Sequence, residues 1–136
     1  MLAEMASATP LQLAAVDRAY ARFVRQEMKG RCMFCFLVET TEGEVVAGGA
    51  IWLRQAAPRV GFPGGRIPYL MSVYTEPAYR GQGLATMITK ETMKWGRDRG
   101  YPWMLLHASA AGRGIYEKLG WEATSEMRYR ITMAGH

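Results

Sequence analysis

Residues 69–88 dictate a local architecture before the rest of the chain is considered. An extended apolar run, Tyr69 to Tyr74, enters a turn marked by Thr75, Glu76 and Pro77. Arg80, Gly81, Gln82 and Gly83 follow, and apolar residues at helical spacing start with Leu84. Strand, glycine-rich turn and helix start, in that order, aim several backbone N–H groups at one point, where the helix dipole adds partial positive charge. Gly81 and Gly83 permit positive φ and a close approach of backbone to ligand. The implied ligand is a phosphate or pyrophosphate.

Three glycine-rich loops compete for this pattern, beside the plain reading of an ordinary strand-to-helix turn. A nucleotide-triphosphatase loop ends in Lys followed by Ser or Thr, whereas Leu84 and Ala85 follow Gly83 here. A dinucleotide loop needs a third small residue and a downstream acid. Thr86 would have to be the first, and Arg99 and Gly100 stand where the second belongs. The third is Arg-x-x-Gly-x-Ala, met by Arg80, Gly83 and Ala85.

The surroundings strengthen that match. Pro68 to Tyr74 reads as the preceding strand, and Leu84, Met87, Ile88, Met93 and Trp95 as a helix closed by Arg97 to Gly100. Pro102 to Ala108 reads as a buried strand. Next comes Gly112-Arg113-Gly114-Ile115-Tyr116-Glu117-Lys118-Leu119-Gly120-Trp121. With both motifs in order, residues 68–131 resemble the GCN5-related N-acetyltransferase (GNAT) superfamily, whose late helix usually ends in Tyr-Glu-x-x-Gly-Phe. Trp121 replaces the commoner Phe.

In the N-terminal half, Leu11 to Met28 carries the spacing of an amphipathic helix, with Lys29-Gly30 at its end. Cys32 to Val38 reads as a strand, Thr40 to Glu44 as a hairpin turn with Gly43 at positive φ, and Val45 to Leu53 as the returning strand. Residues 54–67 hold two Pro and three Gly and read as an irregular loop. One or two strands are expected in the C-terminal segment, Ala123 to Met133. The result is an α/β layer fold, an antiparallel meander followed by a crossover unit, within one domain of 136 residues. The resemblance implies a three-layer fold with a central mixed, mostly antiparallel sheet flanked by helices. Met1 falls close to the first helix, so the family's opening strand is expected to be missing, either because the start is assigned too late or because the domain is short. That leaves the Met33–Val38 strand with an open edge, on which a homodimer is expected.

The composition admits this reading. With 49% apolar residues and four Trp the chain can bury a core. No apolar run approaches the roughly 20 residues of a membrane-spanning helix. Residues Met1 to Ala8 lack the pattern of a signal peptide, and two Cys among ten Met suit a reducing cytoplasm. The net charge of +5 suits an anionic ligand. Nucleic acid is not expected, because the chain has no dense Lys/Arg run and no recognition motif. Cys32-x-x-Cys35 lacks the second pair or spaced histidines of a zinc site, so no metal and two buried free thiols are expected.

The resemblance implies acetyl-coenzyme A as co-substrate and a primary amine of a small molecule or peptide as acceptor. It places pyrophosphate on Arg80, Gly81, Gln82, Gly83, Leu84 and Ala85, and the pantetheine arm along Ser72, Val73 and Tyr74. The Val73 N–H would polarise the thioester carbonyl, and Tyr116 is the candidate general acid, its phenol holding its proton at neutral pH. A core tyrosine is the plain alternative. Ser109 either caps the late helix or contacts the cofactor. Arg113 is either a cofactor or substrate ligand or a solvated helix charge. Glu76 and His107 are the nearest candidates for a base, each more simply a turn and a structural residue. Glu76, Glu122 and Glu126 suit a cationic amine, whereas Arg54, Arg59 and Arg66 suit a carboxylate. A non-catalytic coenzyme A-binding or regulatory domain is the second functional reading. A nucleotide-binding module is the third.

Overall fold

Helix α1, Pro10–Lys29, begins where the sequence supplies its caps. A computed structural model describes residues 9–131 of the chain. The Thr9 hydroxyl accepts from the Gln12 N–H at 3.1 Å and the Gln12 amide oxygen accepts from the Thr9 N–H at 2.8 Å, which satisfies two donors that a helix start leaves orphaned. Pro10 follows at the first helical position, where its missing N–H costs nothing. Only the second half of α1 docks. Phe23 meets Trp52 edge-on with ring centres 5.0 Å apart, and Glu27 accepts from the Trp52 indole N–H at 2.7 Å. Leu11, Leu13 and Val16 remain exposed.

Three antiparallel strands follow: β1, Met33–Glu39; β2, Val45–Gln55; and β3, Arg66–Thr75. The β1–β2 turn closes through Thr40 N–H to Glu44 O at 2.8 Å, with Gly43 at φ 87°. Helix α2, Leu84–Asp98, crosses back to β4, Leu105–Leu106, which lies parallel to β3, and α3, Arg113–Lys118, comes last. The sheet order is β1-β2-β3-β4. Side chains alternate across a sheet, so Trp52 faces α1 while Gly49 and Ile51 face α2. A Cβ on Gly49 would lie 2.9 Å from Ile88 Cγ2, so glycine here lets α2 settle onto the strand. Met33, Val46, Ala47, Ala50, Ile51, Ile67, Leu70 and Ile88 form the core, and each large aliphatic among them contributes about 1.5–3 kcal/mol by leaving water.

This is the expected α/β fold: helices on both faces of a mixed, mostly antiparallel sheet, with β1 at an open edge among the described residues. Several finer expectations give way. The strand expected over Pro102 to Ala108 is only Leu105–Leu106, since Pro102 has no N–H to donate and the chain pairs with β3 at two positions alone. Residues 54–67 are less irregular than their glycines suggest. Arg54 pairs with Ile67 and Gln55 with Arg66, leaving a shorter loop closed by Arg59 and Phe62. No strand forms over 123–131, although Met127, Tyr129 and Ile131 alternate with arginines; these three are 92%, 77% and 83% exposed. A strand needs a ladder partner, and β4 offers two residues. Thr132 and Met133 lie outside the described residues. The thiols are free but not buried. Cys35 is exposed and Cys32 half-buried, because β1 is an edge strand with one face partly uncovered.

Candidate active site

The turn after β3 is built to expose donors. A short 3-10 turn, Pro77–Tyr79, leads to Arg80, whose Nε donates to the Thr75 carbonyl at 3.0 Å while its guanidinium lies 5.9 Å from the Tyr74 ring centre. Arg80 thus fastens the loop to the end of β3. Gly81 and Gly83 take φ of 79° and 80°, with nothing within 4 Å of a Cβ at either. Gly83 caps α2 in the left-handed conformation. Among the described residues no protein acceptor takes the N–H groups of Gly81 to Thr86. Free donors, the positive end of a helix dipole and clear space fit a pyrophosphate.

The strand leading to this loop is irregular. Ala50 pairs with Met71 but Gly48 with Tyr74, so Ser72 and Val73 together oppose Gly49. That is a β-bulge, and Ser72 sits in it at φ 58°, a strained value for a residue with a Cβ. The Tyr20 hydroxyl, on α1, hydrogen-bonds the Ser72 hydroxyl at 2.7 Å. Pairing between β3 and β4 ends at Leu70 and Leu106. Beyond that point β3 has an unpaired edge on the β4 side, from Met71 to Thr75, while the other strand continues as coil through His107 and Ala108. An extended amide-bearing arm can add to such an edge as a further strand.

Tyr116 stands on α3, half-buried, its ring edge-on to Trp121 with centres 6.2 Å apart. Its hydroxyl has no protein partner among the described residues. Burial raises the phenol above its ordinary pKa of 10.0, because desolvation penalises the phenolate. The group holds its proton until a negative charge develops nearby. It lines a cavity of about 580 Å³ with His107, Ala108 and Arg113. The Ser109 hydroxyl accepts from the Gly112 N–H at 3.1 Å, fastening the turn just before α3, which has no side-chain cap. Arg113 donates to Glu117 at 3.1 Å in an exposed pair one turn apart, an arrangement that contributes little to stability.

The expected residues therefore fall into two groups. Ser72, Val73 and Tyr74 run into Arg80–Ala85 along one strand and loop, whereas Ser109, Arg113 and Tyr116 gather around α3. The 580 Å³ cavity is lined by Arg113 and Tyr116 but by neither Ser109 nor any residue of the first group. Glu76 accepts from the Tyr74 hydroxyl at 3.4 Å and sits at the turn. His107 lines the Tyr116 cavity and is exposed. Tyr20 was not expected here. Its position on the apolar stripe of α1 is the one sequence signal for a role against the sheet. Among the described residues no three of His, Cys, Asp and Glu gather at metal-binding distance, and no helix is long and apolar enough to cross a membrane.

Comparison with known proteins bears on the family and the fold. The Acetyltransferase (GNAT) family model matches residues 4–121. The uncharacterized N-acetyltransferase YjgM of Escherichia coli is 35% identical over 98 residues, which are 70% of this chain and 53% of that protein. The chain thus spans about half the length of this curated relative. A crystal structure of a predicted acetyltransferase with acetyl-CoA from Clostridium acetobutylicum is 26% identical with a TM-score of 0.74, covering 85% of this chain and 74% of that one. A GCN5-related N-acetyltransferase from Ralstonia eutropha shares the fold at 22% identity and a TM-score of 0.79, covering 97% and 86%.

Proposed function

The chain belongs to the acetyltransferase (GNAT) family, and from that premise we propose that it acetylates a primary amine of a small molecule or peptide, the amine attacking acetyl-coenzyme A directly in a ternary complex. The observation that carries this is the open ring of unclaimed N–H donors from Gly81 to Ala85 at the start of α2. When bound, acetyl-coenzyme A supplies an activated thioester. Gly81, Gln82, Gly83, Leu84 and Ala85 hold its pyrophosphate, with Arg80 fixing the loop. The free edge at Ser72, Val73 and Tyr74 takes the pantetheine amides, and the Val73 N–H draws charge from the thioester carbonyl. Tyr116 delivers a proton to the departing sulfur, a role its unengaged hydroxyl and raised pKa support. Ser109 and Arg113 bound the same end of the site. An amine that arrives neutral needs no dedicated base. A cytoplasmic homodimer, paired through the open β1 edge, completes the reading.

Isothermal titration with acetyl-coenzyme A, with ATP and NAD as controls, tests the loop. Saturable binding of acetyl-coenzyme A alone is expected, weakened about a hundredfold or more in Gly83→Glu, whose carboxylate meets the pyrophosphate charge. Undiminished affinity in a Gly83→Glu protein that still melts cooperatively would remove the loop from the site. Binding without release of free thiol in the presence of any amine would favour a non-catalytic coenzyme A-binding domain.

A further inference from the structure

The geometry points to an acceptor that carries a carboxylate beside its amine, as a free amino acid does, held in the cavity between Arg54, Arg59 and the glutamates of the C-terminal segment. This rests on the acetyl-transfer reading and names its substrate class. Arg54, on β2, places its guanidinium 4.7 Å from the centre of the Tyr69 ring, and Arg59 places its own 5.9 Å from the centre of the Trp103 ring. Both line a cavity of about 870 Å³, a size suited to a small molecule. A guanidinium held over an aromatic face, as Arg54 is at 4.7 Å and Arg59 more loosely at 5.9 Å, still has N–H groups with which to fork a carboxylate. Neither arginine has an acidic partner: the ion pairs among the described residues are Lys94–Asp98 and Arg113–Glu117. Arg66 is different, its Nη1 being engaged by the Leu53 carbonyl at 3.2 Å.

Glu122 and Glu126 line the same cavity and are likewise unpaired. They also line the adjoining 580 Å³ cavity that contains Tyr116. Arg97 also lines the larger cavity, and Arg113, Arg128 and Arg130 line the one that contains Tyr116. Glu122 and Glu126 are common to both cavities, whereas Arg54 and Arg59 line only the one without Tyr116, so an acceptor with its carboxylate on the two arginines places its ammonium at the glutamates, on the side that opens to Tyr116. A polyamine would meet the two arginines as like charges. Glu76 lines neither cavity and has no part in this arrangement.

The test is calorimetric binding to the full chain saturated with coenzyme A, which lacks the acetyl group and permits no turnover. The probes are free phenylalanine, methionine, serine and glycine, each against its carboxamide, with spermidine as the cationic control. At least one free amino acid binds about tenfold or more tighter than its amide, the range of a charge-assisted fork. Arg54→Gln and Arg59→Gln each shrink that ratio, Arg54→Lys restores part of it, and coenzyme A affinity stays unchanged in all three. The proposal is overturned if no free amino acid binds, if amides or spermidine bind as well, or if the preference survives in both glutamine variants. Release of free thiol from acetyl-coenzyme A is measured separately. Carboxylate-dependent binding without thiol release sinks the transfer reading and leaves the site. Acetylation of spermidine without amino-acid binding does the reverse.

Discussion

The two ends of the sheet are built to different standards. From Met33 to Gly96 the chain supplies every fully buried residue, most of them packing β1, β2 and β3 against α2, while Phe62, in the loop before β3, packs on Tyr101 and Trp103. After Gly96 no described residue is fully buried, although Trp103, Leu105, Leu106, Ile115 and Trp121 are all apolar. The first region is a scaffold whose stability comes from close packing. The second keeps partly exposed side chains, and Trp103, Leu105, Leu106 and Trp121 line the two cavities, so they serve as walls more than as core. The lesson is a division of labour: substitutions of the buried residues before Gly96 should be felt as unfolding, and those of the residues around Tyr116 as loss of chemistry in an intact fold.

Tyr116→Phe should give the largest effect on the open side. Loss of a general acid lowers kcat by about a hundred- to ten-thousandfold, with acetyl-coenzyme A affinity and melting temperature nearly unchanged, because the hydroxyl has no partner to lose. Burial raises the phenol above 10.0, so the active, protonated form persists through neutral pH and is lost only as pH climbs past that value. The alkaline limb of the kcat profile therefore lies above pH 10.0 and disappears in the variant. A large fall in stability without a change in kcat per folded molecule would erase the division. Next is Ile51→Ala on the packed side. Ile51 is 0% exposed, and its truncation costs about 2–5 kcal/mol in denaturant unfolding with little change in the affinity of the folded protein. Gly49→Ala follows, at about 1–3 kcal/mol, since its new methyl must displace Ile88. The smallest effect is expected for Tyr129→Ser. At 77% exposure it should shift stability by no more than about 0.5 kcal/mol. A larger loss would mean that the C-terminal segment belongs to the packed region after all.

The sequence made the packed region legible because its signals are local. The Thr9 cap, the α1 spacing, the Gly43 turn and the Gly81–Ala85 loop each rest on residues close in the chain. The candidate site was legible in part through the same kind of signal, as with Arg80, Gly83 and Tyr116. What failed depends on neighbours far away in sequence. The alternation of Met127, Tyr129 and Ile131 looks like a strand, but a strand exists only when another chain segment accepts its hydrogen bonds. Cys35 lies in an apolar run and is exposed because nothing described covers β1 at that point. The bulge at Ser72 was invisible for a different reason. Positive φ is usually announced by glycine, asparagine or aspartate, whereas here a serine adopts it with help from Tyr20, a residue on another element. Nor did the sequence decide between arginines. Arg54, Arg59 and Arg66 look alike until the backbone carbonyl at Leu53 engages one of them.

The bulge also changes the parity of β3. Below Ser72 the even-numbered residues point to the α2 side, as Leu70 does opposite Ile51. Above it the odd-numbered ones do, as Val73 does beside Gly49 and Thr75 opposite Ala47. One strand thus runs in two phases, joined by a single added residue. The lower phase is locked to the core, and the upper phase sets which way Tyr74 points and where the Arg80 loop departs. An insertion or deletion of one residue between Ser72 and Thr75 would leave every core contact below Leu70 in register, yet re-aim all that follows.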